Sequence, residues 1–254
     1  RQWDSLRTYA SSKGIRFIGD LPIYVLHDSA DVWAHQEIFE LDPKGQPTRV
    51  AGVPPDLFSK NGQRWGNPLY RWDVLKQHNY DWWIERLRVS YTRFDAVRLD
   101  HFIGFQQYWA VPADHPTARR GKWLPGPGAD LFTALERSLG RGRLIAEDLG
   151  KTTPEVHALR DRFNLPGMRV LHFAFSGGVS GDYHLPVNHP QNAIVYTGTH
   201  DNNTSLGWFR EAPTRQRMRA IRTLGIEGQD IHRYFIRGAL GSRANIAILP
   251  LQDL

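Results

Sequence analysis

Short apolar runs that end in charge recur along this chain, separated by stretches with helical spacing. Trp3, Leu6, Tyr9 and Ala10 fall on one face over residues 2–13 and predict a helix, with Gly14 as its stop. Residues 15–19 predict a strand tipped by Asp20. After a long excursion, Tyr80, Trp83, Ile84 and Leu87 return to helical spacing within 73–93 and lead into residues 94–104. There Phe94, Ala96, Val97 and Leu99 read as a buried strand, with Arg98 and Asp100 at its carboxyl end. Leu131, Leu135 and Leu139 predict a helix over 130–139 that Gly140 ends. Residues 144–146 predict a strand tipped by Glu147 and Asp148, and Thr153-Pro154 reads as N-cap and first turn of the next helix. Strands over 168–175, 193–197 and 244–249, and helices over 213–224 and 229–240, complete the pattern.

These are six strands alternating with helices, without internal repeats, and the alternation predicts an α/β fold with a parallel sheet. Six is two short of a closed (β/α)8 TIM barrel, so the whole chain, 1–254, reads as one incomplete catalytic barrel. Residues 25–93 read as an insertion after the first strand, with Asp42-Pro43-Lys44-Gly45 as a turn. Within it, 51–70 is dense in Gly and Pro yet carries Trp65 and Tyr70, the composition of a binding loop or lid rather than a plain surface loop. Residues 105–129, with Pro112, Pro116, Pro125 and Pro127, read as loop.

Composition narrows the classes. With 254 residues, 41% hydrophobic and 23% charged, the chain is long enough for a full core and has no apolar run of membrane-spanning length. The net charge of +6 is spread singly, Arg119 and Arg120 being the tightest pair, which argues against a nucleic-acid partner. Cys is absent, excluding disulfides and thiolate metal sites and fitting a cytoplasmic location. A start at Arg1, inside a helical pattern and without a signal-peptide pattern, suggests a chain cut from something longer. The nine Trp supply flat apolar faces with a polar edge, suited to sugar rings as well as to cores.

In a β/α barrel, chemistry is built at the carboxyl ends of the strands. Asp100, Glu147 and Asp201 each follow a predicted strand, and carboxylates with separate roles are the equipment of glycoside chemistry. His101 and His200 adjoin two of these acids and are placed to bond sugar hydroxyls. Other readings compete. Arg98 and Asp100 are also the elements of a structural ion pair, and the His and acid residues together offer metal ligands, though without compact ligand spacing. Asp148 reads as structural and His172 as a packed strand histidine. Neither a Gly-rich phosphate loop nor a Ser nucleophile elbow is present.

The stretches 19–24, 52–70, 95–104, 146–150 and 197–202, in this order, resemble glycoside hydrolase family 77, the 4-α-glucanotransferases of the amylomaltase type. The resemblance covers almost the whole chain and implies a barrel of the α-amylase-related clan. It implies a retaining double displacement that moves α-1,4-glucan segments to the 4-hydroxyl of an acceptor glucan. Donor and acceptor sugars are then the partners, with no metal, no other cofactor and no obligate protein partner. Residue by residue, Asp100 would be the nucleophile, Glu147 the general acid/base and Asp201 the transition-state stabiliser. Arg98 would keep Asp100 ionised and aligned; Asp20, His101 and His200 would contact the donor sugar. Asp56, Gln63 and Trp65 would lie in a loop arching over the cleft. An α-amylase-type hydrolase, or a glucan-binding protein with a dead site, are the alternatives on the same residues. Measured against the family, two barrel strands and a C-terminal stretch fall outside these 254 residues, so the fragment alone is expected to be inactive.

Overall fold

All six apolar runs form parallel strands, three in each of two units, Arg1–Leu165 and Pro166–Leu254. The computed structural model describes residues 1–56, 59–150 and 152–254. In the first unit the strands are β1 (Ile18–Pro22), β2 (Arg49–Val53), β3 (Gln63–Pro68), β4 (Ala96–Asp100), β5 (Gln107–Pro112), β6 (Lys122–Pro125) and β7 (Leu144–Ala146). They build a parallel sheet in the order β1-β4-β7 and an antiparallel sheet in the order β3-β2-β5-β6. In the second unit, β8 (Gly167–Val170), β9 (Ala193–Tyr196) and β10 (Ile246–Ile248) form a parallel sheet in the order β10-β9-β8.

The central strand alternates. Val97 and Leu99 are 1% exposed and join the apolar core, whereas Arg98 and Asp100 project from the opposite face, as the two-residue period of a pleated strand requires. Register places Asp20 opposite Arg98 and Pro22 opposite Asp100. Three charged side chains therefore share one face by strand geometry alone.

Several expectations are corrected. The first strand runs over Ile18–Pro22, so Asp20 lies within it rather than after it; Phe17 is engaged instead by the Asp95 carboxylate, which accepts its N–H at 2.7 Å. The stretches 51–70 and 105–129 are not loop throughout, because they contain parts or all of β2, β3, β5 and β6. Gly and Pro hide these strands from periodicity. Gly52 is required because a Cβ there would lie 2.3 Å from the Gln63 carbonyl oxygen. Pro68, Pro112 and Pro125 stand at strand ends, where a missing N–H is tolerated. The helix expected over 73–93 is two, Trp72–Gln77 and Asp81–Arg93, broken where Asn79 and Tyr80 adopt left-handed backbone at φ 52° and 59°. The strand expected over 168–175 stops at Val170, and His172 lies in the helical turn Leu171–Ala174, buried as anticipated but not in a strand. Thr153 does occupy the N-cap of the helix Pro154–Arg162, but its side chain makes no capping bond to the backbone.

Tryptophan serves mainly the core. Of the nine, only Trp33 and Trp65 are exposed; Trp83 is fully buried against Tyr70 and Phe105, at ring-centroid distances of 5.8 and 5.2 Å. A second core in the second unit gathers Leu171, Phe175, Val195 and Phe235. Among the described residues no helix is long and apolar enough to cross a membrane. Replacing the fully buried Trp83 by Ala should destabilise by ~3–5 kcal/mol, through lost burial plus a residual cavity. Denaturant unfolding of the full-length protein carrying Trp83→Ala measures it, and a loss under ~1 kcal/mol would contradict this packing.

Candidate active site

The middle of β1 and the carboxyl ends of β4 and β7 bring one cation and three acids together. Arg98 Nε donates to Asp20 Oδ1 at 2.9 Å and its Nη2 to Asp20 Oδ2 at 2.6 Å, a two-pronged pairing that suits a planar guanidinium. The same Nη2 lies 2.9 Å from Asp100 Oδ1. Arg98 is only 9% exposed, so its charge is held by these two carboxylates more than by water. The structural ion pair is thus real, and it also fixes the orientation of the Asp100 carboxylate.

Glu147, immediately after β7, is also 9% exposed. Its Oε2 accepts the His101 N–H at 2.8 Å and its Oε1 the Leu149 N–H at 3.1 Å. Two influences oppose each other. Burial pushes the Glu147 carboxyl up, and the Asp100 charge adds to this; Arg98 and the two N–H donors pull it down. Burial and the neighbouring anion win, leaving the carboxyl at about 8, protonated at neutral pH. The two acids differ in environment: Glu147 is desolvated, while the Asp100 side chain is 41% exposed and bound to Arg98.

The turn after β4 makes this possible. His101 adopts left-handed backbone at φ 55°, a conformation that disfavours a side chain and persists where surroundings enforce it. Its N–H meets Glu147, while the Phe102 N–H bonds the Glu147 carbonyl at 3.0 Å and the Glu147 N–H bonds the Leu99 carbonyl at 3.1 Å. The ends of β4 and β7 are thereby laced together. Burial lowers the His101 imidazole to about 4, so the ring is neutral at neutral pH and keeps one donor and one acceptor nitrogen.

The antiparallel sheet brings an aromatic side chain to His101. Trp65 on β3 sets its ring edge-on to His101 at 4.8 Å and lies 6.3 Å from Tyr24. Its Nε1 donates to Gln63 Oε1 at 3.1 Å, and its residue exposure of 37% leaves part of the indole open. Asp56 lies on the exposed connection between β2 and β3, its Oδ1 accepting the Ser59 N–H at 2.7 Å; Leu57 and Phe58 lie outside the described residues.

The structure therefore groups Asp20, Arg98, Asp100, His101, Glu147, Gln63 and Trp65 within the first unit. His200 and Asp201 belong to the second unit, on the turn after β9, where they are exposed and 3.4 Å apart, His200 Nε2 to Asp201 Oδ2. Asp148 is structural, as anticipated: its side chain is fully buried, ion-paired to Arg160 and 4.0 Å from His157 Nδ1. Among the described residues no three His, Asp or Glu side chains group as metal ligands would. Sequence reasoning missed the His101 and Leu149 amides that hold Glu147, because any residue type supplies a backbone N–H. It also did not place Tyr24 beside the site, since its aromatic neighbours Trp65 and Tyr70 lie far along the chain.

Parallel strands joined by helices, with carboxylates gathered at the strand ends, define a β/α-barrel-type protein with a carboxylate site. The chain belongs to the 4-alpha-glucanotransferase family, whose profile matches residues 1–254. It is 50% identical over 262 residues to the 4-alpha-glucanotransferase of Thermus thermophilus, covering 100% of this chain and 52% of that protein. Against the 4-alpha-glucanotransferase of Synechocystis sp. it is 51% identical over 258 residues, again covering 100% of this chain and 51% of the relative. The amylomaltase of Streptococcus agalactiae, solved in complex with acarbose, superposes with a TM-score of 0.95 at 39% identity, over 99% of this chain and 51% of that one. The fold is accordingly that of an amylomaltase barrel in part, and the chain spans about half the length of the relatives it matches.

Because the Asp100 charge helps raise Glu147, Asp100→Asn should lower the Glu147 pKa below about 8. Carboxyl-carbon NMR titration of the full-length protein reads this directly; an unchanged or higher value would show that the two groups are not electrostatically coupled.

Proposed function

We propose that the full-length protein carrying this chain is a 4-α-glucanotransferase that moves α-1,4-glucan segments between glucans with retention at the anomeric carbon. One observation carries the reading: a buried Glu147 carboxyl raised to about 8 stands beside an Asp100 carboxylate held by Arg98. These are the acid and the nucleophile that a double displacement needs. Asp100 attacks the anomeric carbon of the donor as its bond to the leaving 4-oxygen breaks, and Glu147 gives that oxygen its proton. The product is a glycosyl ester on Asp100, with Glu147 now ionised. The 4-hydroxyl of an acceptor glucan then surrenders its proton to Glu147 and attacks the same carbon, releasing Asp100. Two inversions give net retention.

Asp201 would stabilise the positively charged, oxocarbenium-like transition state. Arg98 orients Asp100, and Asp20, besides holding Arg98, remains 46% exposed at its side chain and available to a sugar hydroxyl. The neutral His101 ring and His200 would serve the donor sugar. Asp56, Gln63 and Trp65 would line the glucan path, with Trp65 restricting water so that a sugar, rather than solvent at roughly 55 M, captures the intermediate. Acarbose bound to the Streptococcus agalactiae amylomaltase supports a glucan-type ligand for this fold.

Maltotriose incubated with the full-length protein should yield glucose and a ladder of longer maltodextrins. Only shorter sugars would favour the hydrolase, and binding without turnover the dead-site protein. The acid role has its own signature. Above about pH 8 Glu147 loses its proton, so kcat/KM should fall as pH rises through that value. Glu147→Gln should slow maltotriose transfer by ~10²–10⁴-fold and α-glucosyl fluoride, whose leaving group needs no proton, far less. Equal losses on the two donors would remove Glu147 from that role.

A further inference from the structure

The turn that carries His200 and Asp201 is anchored from beneath by a carboxylate to which the reaction above gives no part. Thr197 and Ser205, the two feet of this turn, are both fully buried. Asp253 reaches them both. Its Oδ2 accepts the Thr197 hydroxyl at 2.8 Å and the Ser205 hydroxyl at 2.7 Å, and its Oδ1 accepts the Ser205 N–H at 2.7 Å. Asp253 is 3% exposed and lies in the short turn Leu251–Asp253 that follows β10. β10 pairs in parallel with β9, the strand from which the Asp201 turn emerges.

His172 completes the floor. Ser205 has a single hydroxyl proton and gives it to Asp253, so at 3.2 Å His172 Nε2 must be the donor to Ser205 Oγ. That fixes the tautomer and leaves Nδ1 a buried acceptor with no partner among the described residues. The imidazole stacks on Trp208 at 5.4 Å and 8° between planes. The loop backbone also packs close to this ring: a Cβ at Gly198 would lie 2.5 Å from His172 Cε1. Above this floor the turn closes on itself, since Asn202 Oδ1 accepts both the Thr199 N–H and the Thr199 hydroxyl at 2.9 Å. His200 and Asp201 are left facing outward, their side chains 67% and 77% exposed.

A buried carboxylate is expensive to desolvate and is tolerated when its oxygens are fully bonded. An apolar residue would fill this position without that cost, so the carboxylate needs a reason. We propose that Asp253 is a positioning residue, which with Ser205 and His172 clamps both feet of the turn and so sets where Asp201 stands in the reaction. The proposal rests on the reading of Asp201 as transition-state stabiliser. Asp253 itself is 3% exposed and acts through the turn it holds.

The test uses the full-length protein, with maltotriose and α-glucosyl fluoride as donors. Asp253→Ala should lower kcat by ~10²-fold, the scale of a misplacement near 1 Å, with KM changed less than about threefold. Asp253→Asn keeps an acceptor for the Ser205 N–H and turns a donor toward the hydroxyls, and should recover activity to within about tenfold of the parent. In an Asp201→Asn background, adding Asp253→Ala should cost less than about threefold, because residues acting as one unit are not additive. Each variant is compared at a temperature where near-UV circular dichroism shows it folded. Should Asp253→Ala fail to fold, Thr197→Val and Ser205→Ala, each removing part of the clamp, take its place in the same cycle. Unchanged kcat in Asp253→Ala beside a disabled Asp201→Asn overturns the clamp alone, as does a loss that multiplies with that of Asp201→Asn. Full activity of Asp201→Asn overturns the role of Asp201, and the proposal with it.

Discussion

The shared guanidinium of Arg98 is the interaction on which the rest of the site depends. One cation, nearly enclosed, binds Asp20 with two hydrogen bonds and touches Asp100 with one of the same nitrogens. Its partners are themselves 46% and 41% exposed at the side chain, so the cluster stands between an exposed pair, worth ~0–1 kcal/mol, and a buried one whose breakage costs ~3–5 kcal/mol. Its consequence is geometric more than energetic. A planar fork whose Nε and Nη2 hold Asp20 reaches Asp100 through the same Nη2, and β-sheet register has already placed all three on one face.

Glu147 shows how a site tolerates conflict. Two backbone amides and a nearby guanidinium all favour its ionised form, yet its carboxyl keeps a proton, because desolvation and the Asp100 charge outweigh them. The amides do not decide its protonation; they decide its place. That place is obtained from the left-handed turn at His101, whose strain the laced ends of β4 and β7 hold in check. The clamp beneath the Asp201 turn follows the same logic in the second unit, with a buried acceptor holding backbone and hydroxyl donors so that a neighbouring exposed acid has a defined position.

The aromatic residues divide between two tasks. Trp83, Tyr70 and Phe105 pack the first core, whereas Trp65 stands half open against His101. Both populations meet in the segment after β1, where the Tyr70 hydroxyl donates to the Ile23 carbonyl at 2.7 Å and Tyr24 stacks on the Tyr70 ring at 6.0 Å. The ring beside His101 is thus continuous, through Tyr24, with the core.

The sequence by itself determined the six parallel strands, because short apolar runs bounded by charge leave few other ways to bury Val97, Leu99, Ile194 and their like. It determined which acids end those strands, and that Asp148 is structural. It did not reveal the antiparallel sheet, since Gly52 and the strand-end prolines erase periodicity and only partners far along the chain supply the bonds. Nor did it reveal that Asp20 lies inside β1, that His172 follows rather than occupies its strand, or that Asp253 holds the Asp201 turn. Those features are set by register, by the direction of backbone amides and by which side chains burial leaves without water. Each is a property of pairs distant in sequence, and only the folded chain brings such pairs within bonding distance.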